Sequence, residues 1–214
     1  MPEFKMGDSL PKISSAKSGL RYAESPNDRS PNDSDRVRLC LLCDADAAET
    51  AELLARSTDF HRNWVTYPTD LDQVAAFIAH PGDDGMMVFG VRRRSDNVLV
   101  GIATLCRIAR EPWLTAECGA AVDVRQCGNG YMAEGMRLLV RFAVEELGLH
   151  RVEALVRPEN VASARMLTSA GFRIEGIARG AIRIQDDWVD HMRWAAIAED
   201  LPTIQRHIPV EERG

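Results

Sequence analysis

The chain has 214 residues, of which 45% are hydrophobic, and its formal net charge is −6. This length and apolar content suffice for one well-buried α/β domain and are too small for two full-sized ones. The acidic charge disfavours direct nucleic-acid binding, because neutralising phosphates needs clustered Lys and Arg, and it suits an amine-bearing partner better. The sequence has no run of about 18 apolar residues and no signal-like apolar N-terminus, so we expect a cytoplasmic protein without membrane association.

Composition divides the chain into a domain and two tails. Residues 1–35 are rich in Ser, Pro, Asn and Asp and poor in large apolar side chains, which predicts a flexible tail. From Arg36 the pattern becomes that of a folded domain, predicted over residues 36–200, with a second tail over 201–214.

The hydrophobic periodicity within the domain predicts alternating strands and helices. The predicted elements are a strand from 37, helices over 46–57 and 70–79, strands over 86–93, 98–108 and 114–124, a helix closed by Gly148, a strand over 151–157, a helix after Asn160, and a hairpin over 172–184 and 188–197. The order β-α-α-β-β-β-α-β-α-β-β indicates a mixed α/β fold.

The five cysteines form neither a disulfide framework nor a complete metal-ligand set. Cys40-x-x-Cys43 is half of a zinc or redox pattern, but no second Cys or His pair stands at ligand spacing, so we predict no metal and assign these thiols to packing. Cys127 precedes a helix, where a thiol pKa can fall, yet the sequence displays no base beside it, and we interpret it as a loop residue.

The segment between the predicted strand ending at Val124 and the following helix is the most informative part of the sequence. Gly128 and Gly130 permit a tight turn and a close backbone approach to a ligand, and the helix that follows begins with unpaired N–H groups. The N–H groups at such a helix start bind anions, and several of them together suit the two phosphates of a diphosphate. The spacing fits neither a dinucleotide fingerprint nor a nucleoside-triphosphate loop, since the third glycine and the Gly-Lys-Ser/Thr ending are missing.

Several motifs in order are similar to those of the Gcn5-related N-acetyltransferase (GNAT) family. They are Arg125-x-x-Gly128-x-Gly130, Asn160 with Ser163 before Gly171-Phe172, Glu175-Gly176 followed by Arg179, and Trp188-x-Asp190. The resemblance spans residues 36 to 200, and the later motifs resemble the subgroup that acetylates ribosomal-protein N-termini, the ribosomal-protein-alanine N-acetyltransferases. It implies the GNAT acyl-CoA N-acyltransferase fold, in which a mixed, mostly antiparallel sheet flanked by helices has a splayed central parallel pair of strands. It also implies acetyl-CoA as cofactor.

The resemblance assigns roles to residues of this chain. The cofactor-binding positions are Val122, Val124, Arg125, Gln126, Cys127, Gly128, Asn129, Gly130, Tyr131, Met132, Asn160 and Ser163. Backbone N–H groups around Val122 to Val124 are expected to pair with the pantetheine arm and the thioester. Asn160 either bonds the same arm or caps its helix.

Two catalytic candidates and three acceptor-site candidates follow from the same comparison. Glu117 is expected to serve as the base, through water, or else is a solvent-facing strand residue. The tyrosine that many family members place before Gly-Phe to protonate the thiolate is absent, and Ser163 is the substitute that the subgroup implies, or else a small packing residue. His61, Trp64 and Tyr67 resemble the wall over the acceptor site, with core contacts as the alternative.

The sequence therefore favours an acetyl-CoA-dependent N-acetyltransferase that acts by direct attack in a ternary complex on a peptide or protein N-terminal α-amine. A ribosomal protein is one such acceptor. Two alternatives stay open: acetylation of a small amine such as an aminoglycoside or polyamine, and a non-catalytic acyl-CoA-binding regulatory module. A homodimer is compatible with acetylation of a peptide and with acetylation of a small amine.

Overall fold

A computed structural model of the protein describes residues 34–79 and 85–201. The predicted tails therefore lie outside the described residues except for Ser34, Asp35 and Leu201. Within the described part of the chain, no helix is long and apolar enough to cross a membrane.

Seven strands and four helices make up this part of the chain, in the predicted order. They are β1 Val37–Leu41, α1 Ala47–His61, α2 Leu71–Ala79, β2 Met87–Arg93, β3 Leu99–Ala109, β4 Thr115–Val122, α3 Tyr131–Glu145, β5 Arg151–Val156, α4 Val161–Ala170, β6 Arg173–Ile184 and β7 Asp187–Ile197. Short 3₁₀ turns cover 44–46, 124–126 and 198–200.

The strands form one sheet in the order β1-β2-β3-β4-β5-β7-β6, in which every neighbouring pair except one is antiparallel. The exception is β4 with β5, at the centre of the sheet. Their parallel register runs only from Thr115↔Arg151 to Glu117↔Glu153, and beyond it the two strands have no pairing to each other. The predicted α/β fold with a splayed parallel pair is thereby confirmed.

Helices cover both faces of the sheet, and each face has its own apolar core. On one face α3 and α4 bury Met136, Leu139 and Leu167 against the strands. On the other, α1 and α2 bury Leu53, Val74 and neighbouring side chains against β2 and β3. Ala116 of β4 and Val152 of β5 belong to the core under α3, so the parallel pair is buried on that face.

Two element ends differ from the prediction by more than one residue, and both differences bear on the site. Helix α1 continues one turn past Ser57 and ends at His61. Strand β4 ends at Val122 rather than Val124, because the side chain of Asp123 accepts a hydrogen bond from the Arg125 amide and starts a 3₁₀ turn there.

Candidate active site

Backbone groups of β4 face the gap between β4 and β5. Asp123 donates its amide to the Val100 carbonyl (2.9 Å), so the facing pair Gly101↔Val122 is not itself hydrogen-bonded. The amide and carbonyl of Val122 consequently point away from β3, and those of Ala120, two residues earlier, do the same. Because β5 has already diverged at Glu117, these groups are directed into the gap rather than into a ladder.

The loop after β4 presents a run of backbone amides. Gly128 and Gly130 have φ of +80° and +78°, which only glycine adopts without strain. Helix α3 makes its first backbone bond from Glu134 to the Gly130 carbonyl (3.2 Å), and Gly130 provides no side-chain cap. Within the described residues the amides from Gly128 to Ala133 donate no hydrogen bond, so an anion there would meet unpaired donors and the positive end of the helix dipole.

The amides just before this loop are already bonded. Val124 donates to Ser57 Oγ (3.1 Å), Arg125 to Asp123 Oδ1 (3.0 Å), and Gln126 to the Asp123 carbonyl (2.8 Å). The expectation that the Val124 amide is available to a thioester is therefore not met, since α1 occupies it. The unbonded amides begin at Gly128, within the segment that the sequence predicts as the anion-binding turn.

Asp123 is the centre of this anchoring and was missed by sequence reasoning. Its carboxylate is 1% exposed and accepts from Arg56 Nε (2.9 Å) and Arg125 Nη2 (3.2 Å) besides the Arg125 amide. Burial alone would raise the pKa of Asp123, but these bonds outweigh it and hold the pKa below its usual value. An Asp between a strand and a glycine loop is a cap signal that the sequence did contain.

The back of the loop rests on one arginine just before β1 and one at the end of β2. Arg36 donates to the Asn129 carbonyl (3.1 Å) and pairs with Glu134, whose carboxylate is also bound by Ser34 Oγ (2.8 Å). Arg93 donates to Gln126 Oε1 (3.1 Å). Both guanidinium groups lie within 6 Å of the Tyr131 ring, at 5.2 and 5.7 Å from its centroid.

Other predicted loop positions contribute backbone rather than side chain. Met132 is buried in the core beside Gly101, so only its amide is placed to meet a ligand. Burial, together with the nearby Asp123 carboxylate, raises the pKa of Cys127, which therefore stays a thiol at neutral pH. Among the described residues no cluster of His, Cys, Asp and Glu is suited to a metal ion.

Asn160 and Ser163 lie after β5, on the far side of the gap. Asn160 is buried and caps α4, with its Oδ1 accepting from the Ser163 amide (3.1 Å). Capping is thus what the structure records, and it uses only the oxygen: Asn160 Nδ2 and Ser163 Oγ have no partner within residues 34–79 and 85–201. Both polar groups remain able to bind an arm lying in the gap.

The end of α1 and the connection that follows it bridge the ends of the two diverging strands. His61 Nε2 lies 2.9 Å from the Val122 carbonyl at the end of β4. The Arg157 guanidinium, just after β5, lies 5.7 Å from the Trp64 ring centroid and donates to the Asn63 carbonyl. This connection therefore closes over the open end of the gap.

A small cavity of about 40 Å³ lies under this connection. Its walls are Leu54, Thr58, His61, Arg62, Val65, Thr66 and Tyr67. The Tyr67 hydroxyl reaches towards β4, 3.8 Å from where a Cβ on Gly119 would lie, and burial raises the pKa of Tyr67, so the hydroxyl is neutral. His61 and Tyr67 thus share one cavity, whereas Trp64 lies apart against Arg157.

Glu117 occupies the last paired position of β4, where the gap begins. Both carboxylate oxygens accept from Arg107 Nη1, at 2.9 and 3.2 Å, and the side chain is about one-third exposed. The Glu117 carboxylate is therefore engaged with Arg107.

The fold and the amide-lined gap define an acetyltransferase domain. The sequence profile of the acetyltransferase (GNAT) domain matches residues 36–173, and the chain belongs to that family. The expected membership of the GNAT family, drawn from the motifs, is thereby confirmed.

Curated relatives agree with this assignment, and a solved structure agrees with the fold. The probable N-acetyltransferase YjcK of Bacillus subtilis is 43% identical over 52% of this chain and 62% of its own length, so the chain spans less than two thirds of that relative. The [ribosomal protein uS5]-alanine N-acetyltransferase of Escherichia coli is 25% identical over 78% of this chain and 90% of its own. The structure of Mycobacterium smegmatis RimJ in complex with CoA-disulfide superposes with a TM-score of 0.70 at 24% identity, covering 78% of this chain and 84% of that one.

Proposed function

We propose that the protein transfers the acetyl group of acetyl-CoA to the α-amine of a peptide or protein N-terminus. The observation that carries the donor half of this proposal is the run of unbonded amides from Gly128 to Ala133 at the start of α3. Each charge-assisted bond from such an amide to a phosphate oxygen contributes roughly 1.5–3 kcal/mol, and the helix dipole adds about 0.3–1 kcal/mol. A diphosphate is therefore held with little help from side chains.

The remaining length of the donor would lie in the gap. The backbone of Ala120 and the amide of Val122 line one side of it, since the Val122 carbonyl is bonded to His61. Asn160 Nδ2 and Ser163 Oγ follow the strand on the other side. An extended arm with amide groups would complete the ladder that β4 and β5 leave unfinished. Holding donor and acceptor at contact distance supplies up to about 7–11 kcal/mol of the barrier in ideal cases.

The acceptor amine would enter on the side of the gap away from the donor's diphosphate, over the cavity lined by His61 and Tyr67. Support for a protein α-amine comes from the Escherichia coli relative, whose name states a ribosomal-protein substrate. An α-amine has a pKa of about 7.7–8.0 and is partly neutral near pH 7, so a modest base suffices. In this proposal Ser163 hydrogen-bonds the departing sulfur. Glu117, the carboxylate that the family resemblance suggests as the base, is bound by Arg107.

Thiol release from acetyl-CoA tests the proposal directly. Purified protein is incubated with acetyl-CoA and parallel panels of N-terminal peptides and small amines, including aminoglycosides and polyamines, while free thiol and acetylated product are followed. We expect turnover with peptides, including those that copy ribosomal-protein N-termini. Turnover confined to small amines would reject the peptide acceptor, and calorimetric CoA binding without thiol release on any amine would identify a non-catalytic binding module.

A further inference from the structure

His61 is fixed in one tautomer by its contact with the backbone. Its Nε2 lies 2.9 Å from the Val122 carbonyl oxygen, which can only accept, so Nε2 must carry the hydrogen. In the neutral ring the lone pair is then on Nδ1. Within residues 34–79 and 85–201, Nδ1 has no hydrogen-bond partner.

The imidazole ring of His61 lies between the gap and the cavity. The Val122 carbonyl points into the gap between β4 and β5, where the proposed donor lies. The same imidazole lines the cavity that it shares with Tyr67 on the acceptor side. A base on the wall of this cavity can contact an amine that enters it without an intervening water.

The charges around His61 come largely in opposite pairs. On α1, Arg62 pairs with Asp59 (3.5 Å), and Arg56 pairs with Asp123 at the end of β4 (2.9 Å). The α1–α2 connection contributes the neutral Tyr67 hydroxyl, and Arg157 after β5 approaches Trp64 rather than His61. Glu117, by contrast, has both oxygens on Arg107.

We infer that Nδ1 of His61 is the base that takes the proton from the attacking amine, an inference that rests on the proposed function. The amine nitrogen forms a bond to the acetyl carbon as the carbon–sulfur bond breaks, and the bonding pair stays on sulfur. One amine proton passes to Nδ1 and from there to solvent, and the sulfur takes one proton from solvent. The sum is an amide and a free thiol, so atoms and charge balance.

His61→Gln and His61→Ala separate this role from that of a backbone tether. The amide nitrogen of glutamine stands near the place of Nε2 and keeps a donor for the Val122 carbonyl, but the side chain has no lone pair of comparable basicity. We expect both variants to lower kcat with the peptide acceptor by about 100-fold or more, the range of general-base catalysis. The KM for acetyl-CoA in the glutamine variant should stay within about twofold of wild type, because general-base catalysis acts on the chemical step.

The pH–rate profile supplies a readout that a structural role does not move. Measured with two peptides whose α-amines differ in pKa, the wild-type enzyme should show one ascending limb that follows the acceptor and one that does not. His61→Gln should abolish the second limb, and Glu117→Gln should retain it. Wild-type kcat in His61→Gln, with loss only in His61→Ala, would reduce His61 to a tether and overturn the inference.

The experiment also separates this inference from the proposed function. An active wild type whose acceptor-independent limb disappears in Glu117→Gln and persists in His61→Gln would assign the base to Glu117 and leave the acetyltransferase intact. A wild type that releases no thiol with any amine would remove both the activity and the role of His61.

Discussion

Alanine at Gly128 tests the amide cradle, and Gly148 offers a matched control at the other end of α3. Gly128 has φ of +80° and Gly148 has φ of +66°, and a Cβ at either position would meet nothing within 4 Å. Alanine at each site therefore introduces the same strain without a clash, roughly 1–2 kcal/mol for a left-handed L-residue. For a chain of this size the loss corresponds to a melting temperature lower by about 2–8 °C in both variants.

The two variants should differ in CoA binding. If the loop around residue 128 relaxes to relieve the strain, its amides no longer converge, and losing one charge-assisted bond to phosphate costs about 1.5–3 kcal/mol. The Kd for CoA should then rise by about 10- to 150-fold in Gly128→Ala, whereas Gly148→Ala should keep the wild-type Kd.

Isothermal titration with CoA, alongside thermal unfolding of the same preparations, measures both quantities. Unchanged affinity in Gly128→Ala would remove the cradle assignment. Equal weakening in Gly148→Ala would show that the loss reflects global stability rather than the loop.

Two further variants probe how the loop is anchored. Arg36→Lys keeps the positive charge, but a lysine cannot bind Glu134 and the Asn129 carbonyl together. We therefore expect initial-rate measurements to show a KM for acetyl-CoA about 3- to 10-fold higher at unchanged kcat. An unaltered KM would mean that the loop holds its shape without Arg36. Asp123→Asn should lower the free energy of unfolding at pH 7 by about 1–3 kcal/mol. The folded-state pKa of Asp123 is depressed, so its contribution to stability is present above the unfolded pKa of about 3.9 and is lost as the pH falls through the folded pKa. The difference in unfolding free energy between variant and wild type, measured by urea unfolding, should therefore disappear below about pH 4. A stability difference that persists in acid would contradict a stabilising role for the ionised Asp123 carboxylate.

Local conformational requirements made much of the fold predictable from the sequence. The glycines at 128 and 130 announced a left-handed turn before a helix, and the structure places both at positive φ. Alternating apolar residues located the strands, and only the ends were misplaced, as when β4 was extended past the Asp123 cap. The spacing of apolar residues shows which face of a strand or helix is buried, and this is enough to predict the type and position of each element.

Long-range contacts were beyond that reach. Arg36 and Glu134 are 98 residues apart, and nothing local to either residue specifies the other. The splay of β4 from β5 came from family resemblance alone, because a paired and an unpaired strand have the same alternation. His61 was placed on the acceptor wall, but its contact with Val122 depends on α1 running to residue 61, and helix ends are the least certain part of a pattern-based prediction.

The last turns of α1 couple the two halves of the site. Arg56, Ser57 and His61 bind three consecutive residues at the end of β4: the Asp123 carboxylate, the Val124 amide and the Val122 carbonyl. Because the cradle begins immediately after these residues, the distance from the donor's phosphates to the His61 ring is set by α1 rather than by a mobile loop. Catalysis by positioning depends on such distances, and a displacement of about 1 Å can cost about 100-fold in rate. Arg56 and Ser57, which need touch neither reactant, should therefore affect kcat more than they affect the affinity for either substrate alone.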